Sequence, residues 1–478
     1  MKKIRIGVIP AAGRGLRAYS KTKNIPKPLT IIENKPIIQR NIEIMRDQFG
    51  IKKIYIIIGY LGNQIKKQLG NGSKFGVQIN YVTQKKLSGI GSAIYLLKNV
   101  IKEKFLVILG DEIYTNSNHH EMQKNLPKNY DAICCFLETS NKKKIRKNYS
   151  GEFLNGKIKC LIEKPKKPKN NFIGCGTYIF TPKIFEYISL TPPSKLRNEV
   201  EITDVINNIA IKEKSVYPFF LKGNYANITT VEDMNSISFD LKSKNFYNYK
   251  VSLIIPAYNE EETIGNVIDE FKIPSIHEIL VVDNNSTDKT AKIAKSKTVR
   301  VITEHKQGYG NALKTGMNHA TGDILIITEA DGTFRSKDIG KILEYLKDSD
   351  MVIGTRTTRQ MIEQGANMGW FLRWGNVFLG KFIEVLWWNL EPRFTDVGCT
   401  YRGIWKPSYL KIKHNLNGTG PEFSPEMMIE VLKKKMRIIE IPVSYYKRMR
   451  GESKHSIGFN KIKTGTKMLK LIIKKRIF

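Results

Sequence analysis

The sequence predicts an α/β protein of two tandem domains, each a mostly parallel sheet flanked by helices. Three observations predict it. At 478 residues the chain exceeds one ordinary hydrophobic core. Short, continuously apolar runs alternate with helix-period segments in both halves, as strands do when crossover helices cover both faces of a sheet. The chain also opens twice. KIRIGVIPAAGRG (3–15) and KVSLIIPAYNEE (250–261) each run from a basic residue through an apolar stretch into Pro-Ala, and then turn abruptly polar.

In the first half, IRIGVIP (4–10), KKIYIIIGY (52–60) and KFLVILGD (104–111) read as strands, and PIIQRNIEIMRDQFG (36–50) has the period of a helix. The polar, aperiodic segment 238–250 reads as the join. The expected organisation is a domain over 1–240, a linker over 241–249, a second domain over 250–456 and a basic amphipathic helix over 457–478. In the second domain, VSLIIPAY (251–258), EILVVDN (278–284), VRVITE (299–304) and DILIITEAD (323–331) read as strands. The segments 260–271 and 287–296 between them read as helices. The longest apolar stretch, 368–390, carries Arg373, Lys381 and Glu384, which argues against a membrane span. Its apolar residues at 371, 374, 378, 382 and 386 fit one helix face. Ligands of such sheets bind beyond the carboxyl ends of the strands, where the polar residues of both halves fall.

Composition narrows the function classes. A hydrophobic share of 41% is that of a globular protein, and 79 Lys and Arg against 44 Asp and Glu give a net charge of +35. That balance favours nucleotides, phosphates or an anionic membrane as partners. Interleaved aromatic and basic residues of the kind that grip nucleic acid are lacking, so a nucleic-acid-binding protein is not expected. The five cysteines, Cys134, Cys135, Cys160, Cys175 and Cys399, lack metal-ligand spacing and read as cytosolic thiols. The opening residues do not read as a signal peptide, so a cytoplasmic location is expected.

Two segments carry the chemistry of the first half. In AAGRGLRAYSKTKNIPKPL (11–29), Gly13 and Gly15 permit a tight turn whose N–H groups approach phosphates, and Arg17 and Lys27 bring cations to a triphosphate. LGD (109–111) ends a buried strand in Asp111. From about 3 to 235 this half resembles the sugar-1-phosphate nucleotidylyltransferases, whose G-x-G-x-R and P-K-P-L pattern is matched by Gly13, Gly15, Arg17, Pro26, Lys27 and Leu29. The resemblance implies a Rossmann-like (GT-A type) sheet with Arg17, Lys27 and Lys164 as catalytic residues. It implies Gln84 and Gly89 as readers of a pyrimidine base, and Glu163, Lys164 and Gly174 as holders of the sugar phosphate. EITD (201–204) matches as well. Mg2+ (or Mn2+) is implied at Asp111, with a second contact at Asn227, where the family usually has Asp.

In the second half Asp283 ends a strand where it can bond a ribose or base edge, and Lys306 precedes a Gly-rich turn. Glu329 and Asp331 lie two apart at a strand end, which suits a divalent cation on a diphosphate. From about 250 to 456 this half resembles the family 2 inverting glycosyltransferases of the dolichol-phosphate mannose synthase type. PAYNEE carries Pro256, Tyr258 and Glu260; VIGTR carries Arg356; FTDVGCTYRG carries Asp396 and Arg402; RMRGESK carries Arg448, Ser453 and Lys454. The usual Asp-x-Asp stands as Glu329-Ala330-Asp331, and Asn284 replaces a common second Asp.

Together the resemblances imply a bifunctional enzyme. Nucleoside triphosphate, probed by a pyrimidine-reading Gln84, and sugar 1-phosphate would give an NDP-sugar. The sugar would then pass with inversion to a polyprenyl (undecaprenyl or dolichyl) phosphate, guided by Arg402, Arg448, Ser453 and Lys454. The alternative is an alcohol acceptor, with Asp396 or Glu426 as base and a non-catalytic first domain. In the tail, Ile462, Leu469, Ile472 and Ile473 share a helical face among lysines, so the protein is expected to lie peripherally at the inner membrane face. Self-association is compatible with all of this.

Overall fold

The computed structural model describes residues 3–13, 25–33, 35–124, 126–194, 198–228, 230–244, 246–366, 368–449 and 459–477. Arg17, Gly15, Ser453 and Lys454 lie outside the described residues. The chain divides into two compact units, Met1–Leu241 and Lys242–Phe478.

The first unit is built on a seven-stranded sheet. From edge to edge its strands are Val216–Leu221, Ala132–Glu138, Phe172–Phe180, Phe105–Ile108, Ile6–Ala11, Lys53–Ile58 and Gln78–Thr83. Only Phe172–Phe180 runs against its neighbours; the other pairs are parallel. The strands are nearly all apolar because helices cover both faces, and Ile9, Ile56 and Leu106 pack to one side while Val8, Ile57 and Val107 pack to the other. A two-stranded ladder beside this sheet pairs Glu112–Thr115 with Asn224–Asn227.

The second unit repeats the plan. Its strands are ordered Arg300–Thr303, Glu278–Asp283, Val251–Ala257, Ile324–Ile327, Arg402–Trp405, Met351–Thr355 and Ile438–Pro442, with only Arg402–Trp405 antiparallel. The four strands expected from the sequence pair in parallel here. In both units the parallel strands deliver the chain to one edge of the sheet, where Gly13, Gln84 and Asp111 stand in the first and Asp283 and Glu329 in the second.

Three segments behave differently from a reading of pattern alone. The join 238–250 is not an aperiodic linker. It contains the end of the helix Val231–Lys244 and a 3-10 turn, Phe246–Asn248. The helix is fixed in the first unit by Met234 and Ile237, while Phe246 packs edge-on to Trp405 in the second. The apolar stretch 368–390 forms the helix Trp370–Leu386, which buries Leu379 and Ile383 but leaves Trp370, Phe371, Trp374 and Phe378 more than half exposed. The C-terminal helix, Phe459–Ile477, seats Met468 and Ile472 in the second unit's core and exposes Ile462. Among the described residues no helix is long and apolar enough to cross a membrane. Cys134, Cys135, Cys175 and Cys399 are buried free thiols, and Cys160, on the strand Lys157–Glu163, is partly exposed.

Candidate active sites

In the first unit a cavity of about 960 Å³ lies beyond the carboxyl ends of the central strands. It gathers the described residues to which the sequence gave a catalytic, binding or metal role in this half: Gly13, Lys27, Gln84, Gly89, Asp111, Glu163, Lys164, Gly174 and Asn227. Lys27 opens a 3-10 turn beside Pro28 and is buried, and its Nζ donates to Asp111 Oδ2 at 2.5 Å. Gln84 is also buried; its Nε2 donates to the Gly89 carbonyl at 3.3 Å. Gly89 has φ of +100°, and a Cβ there would lie 2.6 Å from the Val200 carbonyl oxygen, so no other residue fits. Lys164 follows the strand Lys157–Glu163 with its backbone N–H on the Asn148 carbonyl at 2.7 Å, and its Nζ stands 3.8 Å from Glu163.

Asn227 ends its short strand opposite Glu112, and its Oδ1 is buried with no hydrogen-bond partner among the described residues. An unpartnered amide oxygen in the cavity that Asp111 also lines fits a hard, oxygen-seeking cation. Glu112, Asn148 and Tyr149 also line the cavity and were not singled out in the sequence. Burial and the neighbouring Asp111 push the Glu112 carboxyl up to about 7, against hydrogen bonds from Tyr114, Tyr225 and the Gly176 N–H. Its place directly after Asp111 was the signal available; nothing in the sequence marks Asn148.

The second unit has a cavity of about 900 Å³. Glu329, Asp331, Arg356 and Arg448 meet in it. Glu329 accepts from Thr400 Oγ1 at 2.7 Å and Thr333 Oγ1 at 3.3 Å, and burial with the nearby Asp331 pushes its carboxyl up to about 7. Arg448 pairs with Glu260 and stands 3.8 Å from Asp331, tying the first strand's loop to the acidic pair. The rest of the lining is largely apolar and comes from two helices, with Phe371, Leu372 and Phe378 on one and Ile462, Met468 and Leu469 on the other. Tyr309, whose hydroxyl is buried without a partner among the described residues, Thr333, Thr400 and Tyr445 complete the polar end and were not anticipated.

Pro256, Tyr258, Glu260, Asp283 and Lys306 follow the same carboxyl edge but do not line this cavity. Ala257 is in register with Asp283, and the Asn284 N–H bonds the Ala257 carbonyl at 2.8 Å. Asn284 also explains the missing Asp. Its amide nitrogen donates to the Glu304 and Lys306 carbonyls at 3.0 Å each, while its oxygen accepts from Gly308 N–H at 2.8 Å. A carboxylate has no proton for the two carbonyls.

Three assignments change. Asp396 does not face the cavity as a base. It is fully buried, and its two oxygens accept from Arg356 Nε at 2.9 Å and Nη2 at 3.0 Å, with Gly398 N–H at 3.2 Å. Arg402 does not guide a phosphate, because its buried guanidinium donates to the carbonyls of Cys399, Ser424 and Val397. Burial lowers its pKa from the ordinary value. Glu426 is no base either. It is buried, accepting from Asn417 and Gly418 N–H at 3.0 and 2.7 Å and from Lys475 Nζ at 2.9 Å.

A tandem of α/β units, each with a cavity that acidic residues line, is what the fold defines, and comparison with known proteins gives the families. Residues 6–244 match the nucleotidyl transferase family model, and the chain belongs to that family; residues 252–402 match the model of glycosyl transferase family 2. The chain is 32% identical over 267 residues to the bifunctional protein GlmU of Methanocaldococcus jannaschii, covering 55% of this chain and 60% of that protein. It is 28% identical over 226 residues to the UTP–glucose-1-phosphate uridylyltransferase AglF of Haloferax volcanii, covering 47% of this chain and 92% of that one. The chain thus spans about 60% of the length of the GlmU relatives it matches. Among solved structures, UDP-glucose pyrophosphorylase with UDP-glucose aligns at a TM-score of 0.44 and 28% identity, over 50% of this chain and 99% of that one.

Proposed function

We propose that the chain is a bifunctional enzyme: the first unit makes an NDP-sugar, and the second transfers the sugar with inversion to a polyprenyl phosphate at a membrane surface. In the first cavity a sugar-1-phosphate oxygen attacks the α-phosphorus of a nucleoside triphosphate, the α–β phosphoanhydride bond breaks, and pyrophosphate leaves in line. Lys27 balances charge near Asp111, and Lys164 and Glu163 hold the sugar phosphate. Gln84 and Gly89 face the base. Asp111 with Asn227, and Glu329 with Asp331, are the residues that would hold a divalent cation, Mg2+ or Mn2+. When bound, that cation supplies charge neutralisation at the substrate phosphates.

One observation carries the acceptor class. Both carboxylates that the sequence offered as bases for an alcohol acceptor are sequestered, Asp396 by Arg356 and Glu426 by Lys475. A lipid phosphate is already ionised and needs no base; it needs cationic guidance, which Arg448 offers, and an apolar channel, which the helices Trp370–Leu386 and Phe459–Ile477 offer. The exposed Trp370, Phe371, Trp374 and Phe378 support docking on a bilayer in the same terms, since aromatic side chains favour the interface.

Mass spectrometry of products from a panel of triphosphates and sugar 1-phosphates, with and without polyprenyl phosphate, tests the reading. The expected products are one NDP-sugar and pyrophosphate, and then a lipid-phosphate-linked sugar. Transfer to an alcohol acceptor, or release of no pyrophosphate, overturns the corresponding half.

A further inference from the structure

The Glu112 carboxylate lies at the meeting of three strands. It begins the strand Glu112–Thr115, directly after Asp111, and is in register with Asn227 across the ladder. Its Oε1 accepts from the Tyr225 hydroxyl at 2.7 Å, on the strand that ends in Asn227. Its Oε2 accepts from the Tyr114 hydroxyl at 2.6 Å and from the Gly176 N–H at 2.7 Å. Gly176 sits where the strand Phe172–Phe180 loses register with its neighbour, between Gly174 and Tyr178, so its N–H is turned to the carboxylate. A Cβ at Gly176 would collide with Leu109 Cδ1 and lie 2.7 Å from Glu112 Oε2, so the missing side chain makes room for both.

We propose that Glu112 is a positioning residue that sets the cation-holding pair Asp111 and Asn227 and the sugar-phosphate segment at Gly174 in one geometry. This rests on the reading of the first unit as a nucleotidylyltransferase. Both oxygens are taken by protein donors, so Glu112 acts through these neighbours and is not a ligand. The base-reading segment from Gln84 to Gly89 shares no hydrogen bond with it. A defect at Glu112 therefore divides the substrates: cation and sugar phosphate suffer, and the nucleotide does not.

The test uses the full chain. Mn2+ binding is followed by electron paramagnetic resonance, and pyrophosphate release gives separate KM values for triphosphate and sugar 1-phosphate. Glu112→Ala is expected to weaken Mn2+ binding and raise the sugar-phosphate KM, each by about 10-fold or more, with the triphosphate KM unchanged. Glu112→Gln retains an acceptor for Gly176, while the Tyr225 hydroxyl can turn to accept, and is expected to recover most of both. Tyr225→Phe removes only the bond on the Asn227 strand, so it weakens Mn2+ binding and spares the sugar-phosphate KM; it serves equally if Glu112→Ala fails to fold. Unchanged Mn2+ affinity in Glu112→Ala or Tyr225→Phe overturns the proposal, as does an equal rise in all three constants. If the unaltered protein releases no pyrophosphate, the nucleotidylyltransferase reading fails, while Mn2+ binding by the variants still decides the role of Glu112.

Discussion

At the scale of single residues, the first unit holds a histidine in an apolar setting. His119 is buried, stacks edge-on to Tyr114 at 4.8 Å, and has its ring nitrogens against Ser117 Oγ at 2.7 Å and Thr177 Oγ1 at 3.3 Å. Burial, with a smaller contribution from His120, lowers its pKa to about 3. The unfolded chain takes up this proton near pH 6.5 and the folded chain only near 3, so the unfolded state binds more protons between those values. Stability from this group is complete above pH 6.5 and is lost as the pH falls, by about 1.4 kcal/mol per unit. Glu112 slopes the other way between pH 4.5 and 7, because its carboxyl is raised. Denaturant melts of the protein against His119→Asn isolate the histidine, and the variant is expected to show a flatter loss between pH 6 and 4. An identical pH slope in both would contradict the assignment.

At the scale of elements, a charged clasp holds the far end of the C-terminal helix, beyond Met468 and Ile472 in the core. Lys475 Nζ lies 2.9 Å from both Glu426 and Glu430, two carboxylates that are almost wholly buried. Glu426 also holds Gly418, and the Thr419 carbonyl beside it accepts from Gly310 N–H at 2.8 Å. The clasp thus connects a wall of the transferase cavity to the Gly-rich turn after Lys306. Lys475→Met leaves two buried charges uncompensated and is expected to destabilise the second unit by about 3–5 kcal/mol. Adding Glu426→Gln and Glu430→Gln should restore most of it, as read by thermal melting.

How far such features could be read from the sequence depended on range. The strands were legible because burial on both faces demands unbroken apolar runs such as YIII (55–58) and ILII (324–327), and because each ends in a polar turn. Much of the first unit's cavity lining was legible for the same reason, since Gln84 directly follows the strand Gln78–Thr83 and Asp111 stands three residues beyond the strand Phe105–Ile108. Asp396 and Arg402 were misjudged because a carboxylate facing a cavity and one paired to Arg356, 40 residues away, look alike in sequence. The helix Val231–Lys244 was missed because only Met234 and Ile237 are seated in its small apolar cluster, too few to print a period on a polar segment.

At the scale of the whole molecule, two compact units, each with its own cavity, predict separable activities. Lys27→Ala is expected to abolish NDP-sugar synthesis yet leave transfer from supplied NDP-sugar intact, and Glu329→Gln to do the reverse; loss of both activities from either change would refute the division. The net charge of +35 makes binding to anionic vesicles sensitive to salt. Sedimentation with such vesicles should fall steeply between low and physiological ionic strength, whereas replacing Trp370 and Trp374 by Ser should weaken it at all salt concentrations. Retention that is indifferent to both changes would remove the membrane from the reading.

The distribution of thiols has a practical corollary. Four of the five are shut inside the cores, and only Cys160 is partly open to solvent. It stands three residues before Glu163, on the strand that delivers Glu163 and Lys164 to the first cavity. A fluorophore or spin label aimed at thiols would therefore report from a single native position beside the sugar-phosphate segment, giving an occupancy signal without any engineered cysteine.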